Sequence, residues 1–340
     1  MMMMDLPELI IVDVGHGNCA VLRDTEGVVV IDCPYGNTLR EIIEYRSIQD
    51  ISHILISHAD ADHIAGIVNL LLDENLKIHN IHLNPDALKK SEIWQDLRFA
   101  LKDARKRFGT VVSTELTTTK SGTLNIGQAD IQVLAPTPEL ILGGAGGQDL
   151  QGRRLTSNSI SVVIGIVHNS YRVAILAADI DKIGLENLLQ DELDISTDIL
   201  VFPHHGGKPG GADGKAFAQE LCNLTKPKLI IFSIDRNRFN NPREEIIEGI
   251  SVSVPEAHIL CTQLSKQCAE NLPHSVATHL SRLPAKGWFK NSCCGGTVSV
   301  NINGGRTTYT KIDLHKAFID TQVPTPICRK FKPRSLSDSR

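Results

Sequence analysis

The ten residues Ser57-His58-Ala59-Asp60-Ala61-Asp62-His63-Ile64-Ala65-Gly66 constrain this chain more than any other segment. Two imidazoles and two carboxylates lie between His58 and His63, directly behind the apolar, β-branched run Ile51-Ser52-His53-Ile54-Leu55-Ile56. Such a run predicts a buried strand, and Ile64 to Leu72 has helical spacing. The polar residues therefore fill a loop between a strand and a helix. Alternate residues His58, Asp60 and Asp62 point to one side of an extended loop, with His63 following at the helix start. Four nitrogen and oxygen donors on one short loop are the raw material of a metal site.

Two further polar clusters close apolar strands. Leu176-Ala177-Ala178-Asp179-Ile180-Asp181 ends in two carboxylates ahead of a predicted helix, Ile183 to Leu189. Asp181 suits the N-cap of that helix, whereas Asp179, at the strand end, suits a metal and has the reach to bridge two ions. Leu200-Val201-Phe202-Pro203-His204-His205-Gly206-Gly207 ends in paired imidazoles beside glycines, and both histidines are read as site residues.

The rest of the chain alternates short strands with helices. Cys19 to Leu22 and Val28 to Ile31 read as a hairpin, Thr38 to Tyr45 as a helix, and Ile78 to Leu83 as a strand. Ser91 to Phe108 is an amphipathic helix with Ile93, Trp94, Leu97, Leu101, Ala104 and Phe108 on one face. Ile131 to Leu134, Ile160 to Val167, Tyr171 to Leu176, Ile199 to Phe202 and Leu229 to Ile234 read as strands. Thr297 to Ile302 and Thr307 to Ile312 form a last hairpin. The glycine-rich segment Gly143 to Arg154 is a flexible loop able to close over a substrate, with Arg153 and Arg154 near bound phosphates. Strands distributed over the whole length predict an α+β fold with helices layered on sheets. Residues 1–315 are expected to form the domain and residues 316–340 a flexible tail, the chain being rich in Pro, Ser, Arg and Lys from about Gln322.

Composition narrows the function class. With 35 basic against 39 acidic residues the net charge is −4, so nucleic acid can be bound only by a local patch. No apolar run approaches the ~20 residues of a membrane span. The N-terminus lacks a signal-peptide pattern, and the eight cysteines have no disulfide-framework spacing, so a cytoplasmic protein with reduced thiols is expected. Cys261, Cys268, Cys293 and Cys294, with His274 and His279 between them, form a second metal-ligand candidate. Their spacing matches no common zinc knuckle, and buried thiols are the simpler reading.

The ordered set of strand-end ligands resembles the metallo-β-lactamase fold superfamily over roughly residues 8 to 315. More narrowly, Asp13-Val14-Gly15-His16-Gly17-Asn18, Ser57 to Gly66, Asn158-Ser159, Ala178-Asp179-Ile180, His204-His205-Gly206 and Ser233 to Pro242 follow the order of motifs in the soluble hydrolase domain of ComEC-type DNA-uptake proteins. The resemblance implies a four-layer αββα sandwich with the site at one edge of the paired sheets. It also implies two divalent ions, zinc or manganese with magnesium an option. His58 and Asp60 would hold one ion, Asp62 and His63 the other, with Asp179 bridging and His205 completing the set. Asp32 would orient the ligand loop. Two such ions ~3.5–4 Å apart activate a bridging water and clamp a phosphodiester.

The implied function is a metal-dependent hydrolase, a phosphodiesterase or nuclease acting on nucleic acid or nucleotides through a metal-bound hydroxide. Asp62, His204 and Asn237 are the candidates for catalysis or substrate contact. The sequence departs from the family pattern in four places. Asp60 replaces a His, which makes the site richer in oxygen. Asn158 stands where many relatives have a ligand His, leaving one ion with fewer protein donors. His16 stands in place of Gln, and Asn241 in place of His. Hydrolysis of a lactone or thioester, or a non-catalytic regulatory role, are the alternatives.

Overall fold

The computed structural model describes residues 6–189, 194–273, 277–302 and 309–331. The first third runs β1 (Glu8–Ile11), β2 (Ala20–Asp24), β3 (Gly27–Ile31), α1 (Thr38–Tyr45), β4 (Asp50–Leu55), α2 (Ala61–Leu71), β5 (Lys77–His82), α3 (Glu92–Phe108) and β6 (Val111–Ser113). The middle runs β7 (Asp130–Ala135), α4 (Pro138–Gly143), β8 (Val163–His168), β9 (Tyr171–Leu176), α5 (Lys182–Leu189), β10 (Ile199–Val201), α6 (Gly214–Thr225), β11 (Leu229–Phe232), α7 (Glu244–Ser253) and β12 (His258–Cys261). The chain closes with β13 (Val298–Asn301) and α8 (Ile312–Gln322).

These strands make two sheets. One has the order β13-β1-β2-β3-β4-β5-β6 and the other β12-β11-β10-β9-β8-β7. Alternation along each strand decides which layer a side chain joins. Leu9, Leu22, Ile31 and Leu55 of the first sheet meet Ile164, Leu176, Val201 and Ile231 of the second in a central core. Ile10, Val21, Val30 and Ile54 face the other way and pack against Ile42, Ile64 and Leu97 of α1, α2 and α3. On the far side, Ile175, Leu200 and Ile230 pack against Leu185, Phe217 and Ile246 of α5, α6 and α7. Helix, sheet, sheet, helix: this is the α+β four-layer sandwich that the resemblance implies.

Strands β3, β4, β5 and β6 run parallel, as do β9, β10, β11 and β12. Parallel strands gather their C-terminal ends, and the loops leaving them, along one edge of the sheet. The two parallel halves present that edge together. Val162 donates its N–H to the carbonyl of Ser57 and so ties the second sheet to the loop after β4.

Helix α2 docks closely at this edge. A Cβ at Gly66 would lie 2.3 Å from the Pro34 carbonyl oxygen, so only glycine lets the helix approach the strand that follows β3. The Cys33 amide donates to the His63 carbonyl and the Gly66 amide to the Cys33 carbonyl, which fixes the first turn of α2 in place.

Two expectations about the C-terminus change. Helix α8 runs across the expected domain boundary, and Phe318, Ile319, Val323 and Ile327 are buried against the α6–α7 layer. The segment from 316 to 331 is thus part of the packed body, because its apolar residues fill a gap beside α7. Residues 332–340 lie outside the described residues. Of the expected last hairpin, β13 pairs with β1, the turn lies outside the described residues, and Ile312 begins α8 rather than ending a strand. The Gly143–Arg154 segment folds on itself: the Gly146 amide donates to the Leu155 carbonyl, the Leu155 amide donates to the Gly147 carbonyl, and Leu140, Ala145, Leu155 and Ile160 form a small core. Arg153 pairs with Asp149 and Glu186, so its guanidinium is already committed. Among the described residues no helix is long and apolar enough to cross a membrane.

Candidate metal centre

Most of the functional side chains stand just beyond the C-terminal end of a strand. Asp32 follows β3, His58 and Asp60 follow β4, Asp179 follows β9, and His204 and His205 follow β10. Asp62 and His63 occupy the first turn of α2, which begins at Ala61 rather than at Ile64. Backbone strain marks several of these turns. Asp32, Ala178, His204 and His205 have φ of 57°, 45°, 51° and 54°. A left-handed backbone at a non-glycine residue costs on the order of 1–3 kcal/mol and persists where surrounding structure holds it for a purpose.

Asp62, His63, Asp179 and His205 converge, with one ligand atom from each lying within 4.8 Å of the others. The pairwise geometry is tight. Asp62 Oδ2 is 3.3 Å from His205 Nε2, Asp179 Oδ1 is 3.4 Å from His63 Nε2, and His205 Nε2 is 3.8 Å from Asp179 Oδ1. His63 and His205 are 0% and 3% exposed, and the Nε2 of each is buried with no hydrogen-bond partner. Buried nitrogens are rarely left unpaired. Two such nitrogens aimed among carboxylate oxygens fit a bound cation, and the residues present suit the group that the fold family implies.

Supporting residues orient the donors. Asp32 accepts hydrogen bonds from the Ser57 amide and hydroxyl, and its Oδ2 lies 2.7 Å from His63 Nδ1. That contact turns His63 Nε2 inward. His205 Nδ1 lies 2.9 Å from the Ser233 carbonyl and donates to it, turning its Nε2 inward as well. Such partners fix the tautomer of a ligating imidazole. Asn18 reaches Asp179 Oδ1 through its amide at 3.5 Å.

The electrostatics favour positive charge. Burial opposes protonation of His63, but Asp32 and Asp179 outweigh it and hold its pKa well above the ordinary value. Burial likewise opposes ionisation of Asp179, and His205 and His63 reverse the balance, so its pKa falls well below the carboxylate range. Asp62 is lowered in the same way, its burial overcome by the neighbouring His16 and His205 imidazoles. A field that draws a proton onto His63 draws a cation equally.

His58 and Asp60 stand apart from the four. His58 is buried, its Nδ1 faces the hydroxyls of Ser57 (3.0 Å) and Ser161 (3.3 Å), and its Nε2 has no partner. Burial, with the neighbouring His63, lowers its pKa to about 3, so it is neutral. Its Nε2 lies 3.9 Å from Asp60 Oδ2, while the other Asp60 oxygen pairs with Lys89. His204 faces Asp179 Oδ2 with its Nδ1 at 3.5 Å, and its Nε2 is buried without a partner. Asp181 caps α5, accepting from the amides of Ile183 and Gly184.

Asn237 does not join the site. It is exposed, and its amide donates to Asp235 Oδ1. The residue of that loop that reaches the centre is Phe239, whose ring centroid is 4.8 Å from that of His16. His16 in turn places Nε2 3.0 Å from Asp62 Oδ2 and its ring 4.6 Å from that of His205. Gly17 permits this approach, since a Cβ there would lie 2.3 Å from the Asp62 carbonyl oxygen. Asn241 is buried under the His204–Gly207 turn, with its Oδ1 unpartnered.

Among the described residues the cysteines form no second centre. No disulfide joins any of the eight. Cys293 Sγ faces Asp13 at 3.7 Å, whereas Cys294 Sγ faces His315 at 3.3 Å, so adjacent residues point into different environments. Among the described residues no group of thiols converges as the four site residues do. His274 lies outside the described residues.

Comparison with known proteins gives several similar chains. A metallo-beta-lactamase type 2 from Bacillus sp. (strain 170) is 25% identical over 189 residues, 52% of this chain and 72% of that protein. The metallo-beta-lactamase fold protein YhfI of Bacillus subtilis aligns with a TM-score of 0.47 at 12% identity, over 75% of this chain and 96% of its own. A metallo hydrolase of the archaeon Ignicoccus hospitalis aligns with a TM-score of 0.44 at 14% identity, over 75% of this chain and 94% of its own. The family model for the metallo-beta-lactamase superfamily matches residues 12–212, a stretch that begins beside Asp13 and ends beyond the paired histidines, and the chain belongs to that superfamily.

Proposed function

We propose that this protein is a metal-dependent phosphodiesterase acting on nucleic acid or nucleotides, in the manner of a ComEC-type nuclease domain. Asp62, His63, Asp179 and His205 would hold a divalent ion, manganese or zinc with magnesium an option. Bound there, the ion supplies an acidified water and an electrophile for phosphoryl oxygens.

The observation that carries the reading is the rim of this oxygen-rich donor set. Lys89 lies against Asp60, and Lys286 Nζ lies 2.8 Å from where a Cβ at Gly15 would stand, beside the turn that brings His16 to Asp62. Ammonium groups beside an anionic, metal-competent centre suit an anionic substrate, which brings oxygen ligands of its own. Phe239, 64% exposed and against His16, offers a face on which a base can stack.

The other side chains have distinct tasks. Asp32 and the Ser233 carbonyl hold His63 and His205 in the ligating orientation. Burial lowers the pKa of His204, so it is a neutral imidazole whose Nε2 is free to hydrogen-bond a substrate oxygen.

Incubating the metal-loaded protein with single-stranded DNA, RNA, cyclic nucleotides, a lactone, a thioester and a β-lactam tests the proposal. Cleavage of a phosphodiester that chelation abolishes supports it. Turnover confined to the lactone, thioester or β-lactam moves the enzyme to another bond. Full biological activity of an Asp62→Ala variant would make the role non-catalytic.

A further inference from the structure

The resemblance calls for two ions, yet the two halves of the centre are built unequally. One half gathers four donors, Asp62, His63, Asp179 and His205. The other has His58 and Asp60, and among the described residues no third His, Cys, Asp or Glu completes a group around them. The chain position at which a further histidine would be expected holds Asn158. What this half does contain is an ammonium.

Lys89 pairs with Asp60 across 29 residues of sequence, and the turn that carries it is anchored. Buried Asp86 accepts hydrogen bonds from the amides of Leu88 (3.1 Å) and Lys89 (3.0 Å) through Oδ1. Its other oxygen accepts from the Ser157 hydroxyl. Ser157 belongs to the same loop as Ser161, whose hydroxyl faces His58. The turn bearing Lys89 is thereby tied to the loop that holds the other member of the pair. Leu88 packs where any side chain at Gly146 would stand, which closes the turn from outside.

Asp60 also forgoes its ordinary use. It is the N-cap residue of α2, a position where an aspartate normally accepts from the amides of the first turn. Here the side chain makes no capping hydrogen bond and turns to Lys89 instead.

We infer that Lys89 supplies the second positive charge of this centre in place of a second metal ion, so that one ion resides at Asp62, His63, Asp179 and His205. The inference rests on the reading that those four residues hold an ion. A divalent cation at His58 and Asp60 would have those two donors, at most a shared oxygen of Asp179, and a like charge beside it. At the same place the ammonium neutralises Asp60 and, 25% exposed, keeps protons to donate to an anionic substrate.

Metal stoichiometry tests this without reference to turnover. The full-length protein is titrated with Mn²⁺ alone and Zn²⁺ alone, and bound metal is read by elemental analysis after removal of the excess. About one ion per chain is expected in the wild type, and Asp60→Asn should retain about one, because Asp60 holds no resident ion. Lys89→Met releases Asp60 beside the unpartnered His58 Nε2, and its content should rise to about two. Two ions in the wild type, a loss of one ion in Asp60→Asn, or an unchanged content in Lys89→Met would each overturn the role of Lys89. In the first two cases the four-residue site would stand. No bound metal in the folded wild type would instead overturn that site, and the inference with it.

Discussion

Asp32 shows how much of this centre depends on residues that hold no ion. Its carboxylate is 1% exposed and is saturated by the Ser57 amide, the Ser57 hydroxyl and His63 Nδ1. Asp32→Asn keeps the shape but removes the charge that fixes the His63 tautomer. Affinity for Mn²⁺ or Zn²⁺ should fall roughly 10–100-fold, and calorimetric titration of wild type against variant checks it. An unchanged affinity would mean that His63 is not a ligand. At this scale the sequence was partly legible. The strand-end positions of His58 and Asp179, and that of His63 at a helix start, followed from apolar runs that stop at polar residues. So did the division of labour between Asp179 and Asp181, since a cap needs a helix directly after it. His16, Lys89 and Phe239 were not legible as neighbours of Asp62 and Asp60. Each arrives from a separate loop, and no periodicity encodes a contact between the loop after β1 and the first turn of α2. Asn237 was favoured for its chemistry, but the left-handed turn at Phe239 and Asn240 brings Phe239, not Asn237, to His16.

At the scale of elements, α8 carries the largest revision. Most of it fell in the expected tail, yet Phe318 and Ile319 are 7% and 3% exposed. Phe318→Ala should lower unfolding stability by about 3 kcal/mol in chemical denaturation, as truncation of a buried aromatic does. A change near zero would restore the tail. The helix is also joined to β12 by an imidazole pair, with His258 Nε2 2.9 Å from His315 Nδ1. Burial, then His258 and His279, hold the His315 pKa well below its ordinary 6.5. The unfolded chain therefore binds a proton at this residue as pH falls below 6.5, and the folded chain does not. This contribution is fully present above that pH and declines below it. Thermal unfolding from pH 7.5 to 5.0 should show a downward shift in Tm that is smaller in His315→Phe. Equal shifts would assign the pH dependence elsewhere. Helices α1 and α3 were legible because their apolar stripes are long and regular. Strands β6 and β12 were not, because three or four residues inside a parallel sheet carry too little pattern to stand out.

For the whole molecule, the order of strand-end motifs along the chain was enough to expect paired sheets, because parallel strands deliver their C-terminal loops to one edge. The two sheets bury Leu9, Leu22, Ile164 and Val201 between them. The register that brings the loops after β4, β9 and β10 together is a property of this packing, which local spacing does not specify. A cation bound at the shared edge would couple to folding. A ligand at about 100 times its Kd stabilises by about 2.7 kcal/mol, so chelation should lower Tm by several degrees and readdition of Mn²⁺ or Zn²⁺ should restore it. Differential scanning calorimetry with and without chelator checks this, and an unchanged Tm would argue against a resident ion. The central claim joins that ion to hydrolysis of a phosphodiester. Its most direct test is cleavage of single-stranded nucleic acid by chelated protein reloaded with Mn²⁺, run beside Asp62→Ala. The expected result is cleavage that returns with the metal and is lower in the variant by on the order of 10²-fold or more. Folded, metal-loaded wild-type protein that leaves every phosphodiester intact, or an Asp62→Ala variant that cleaves as fast, would contradict it.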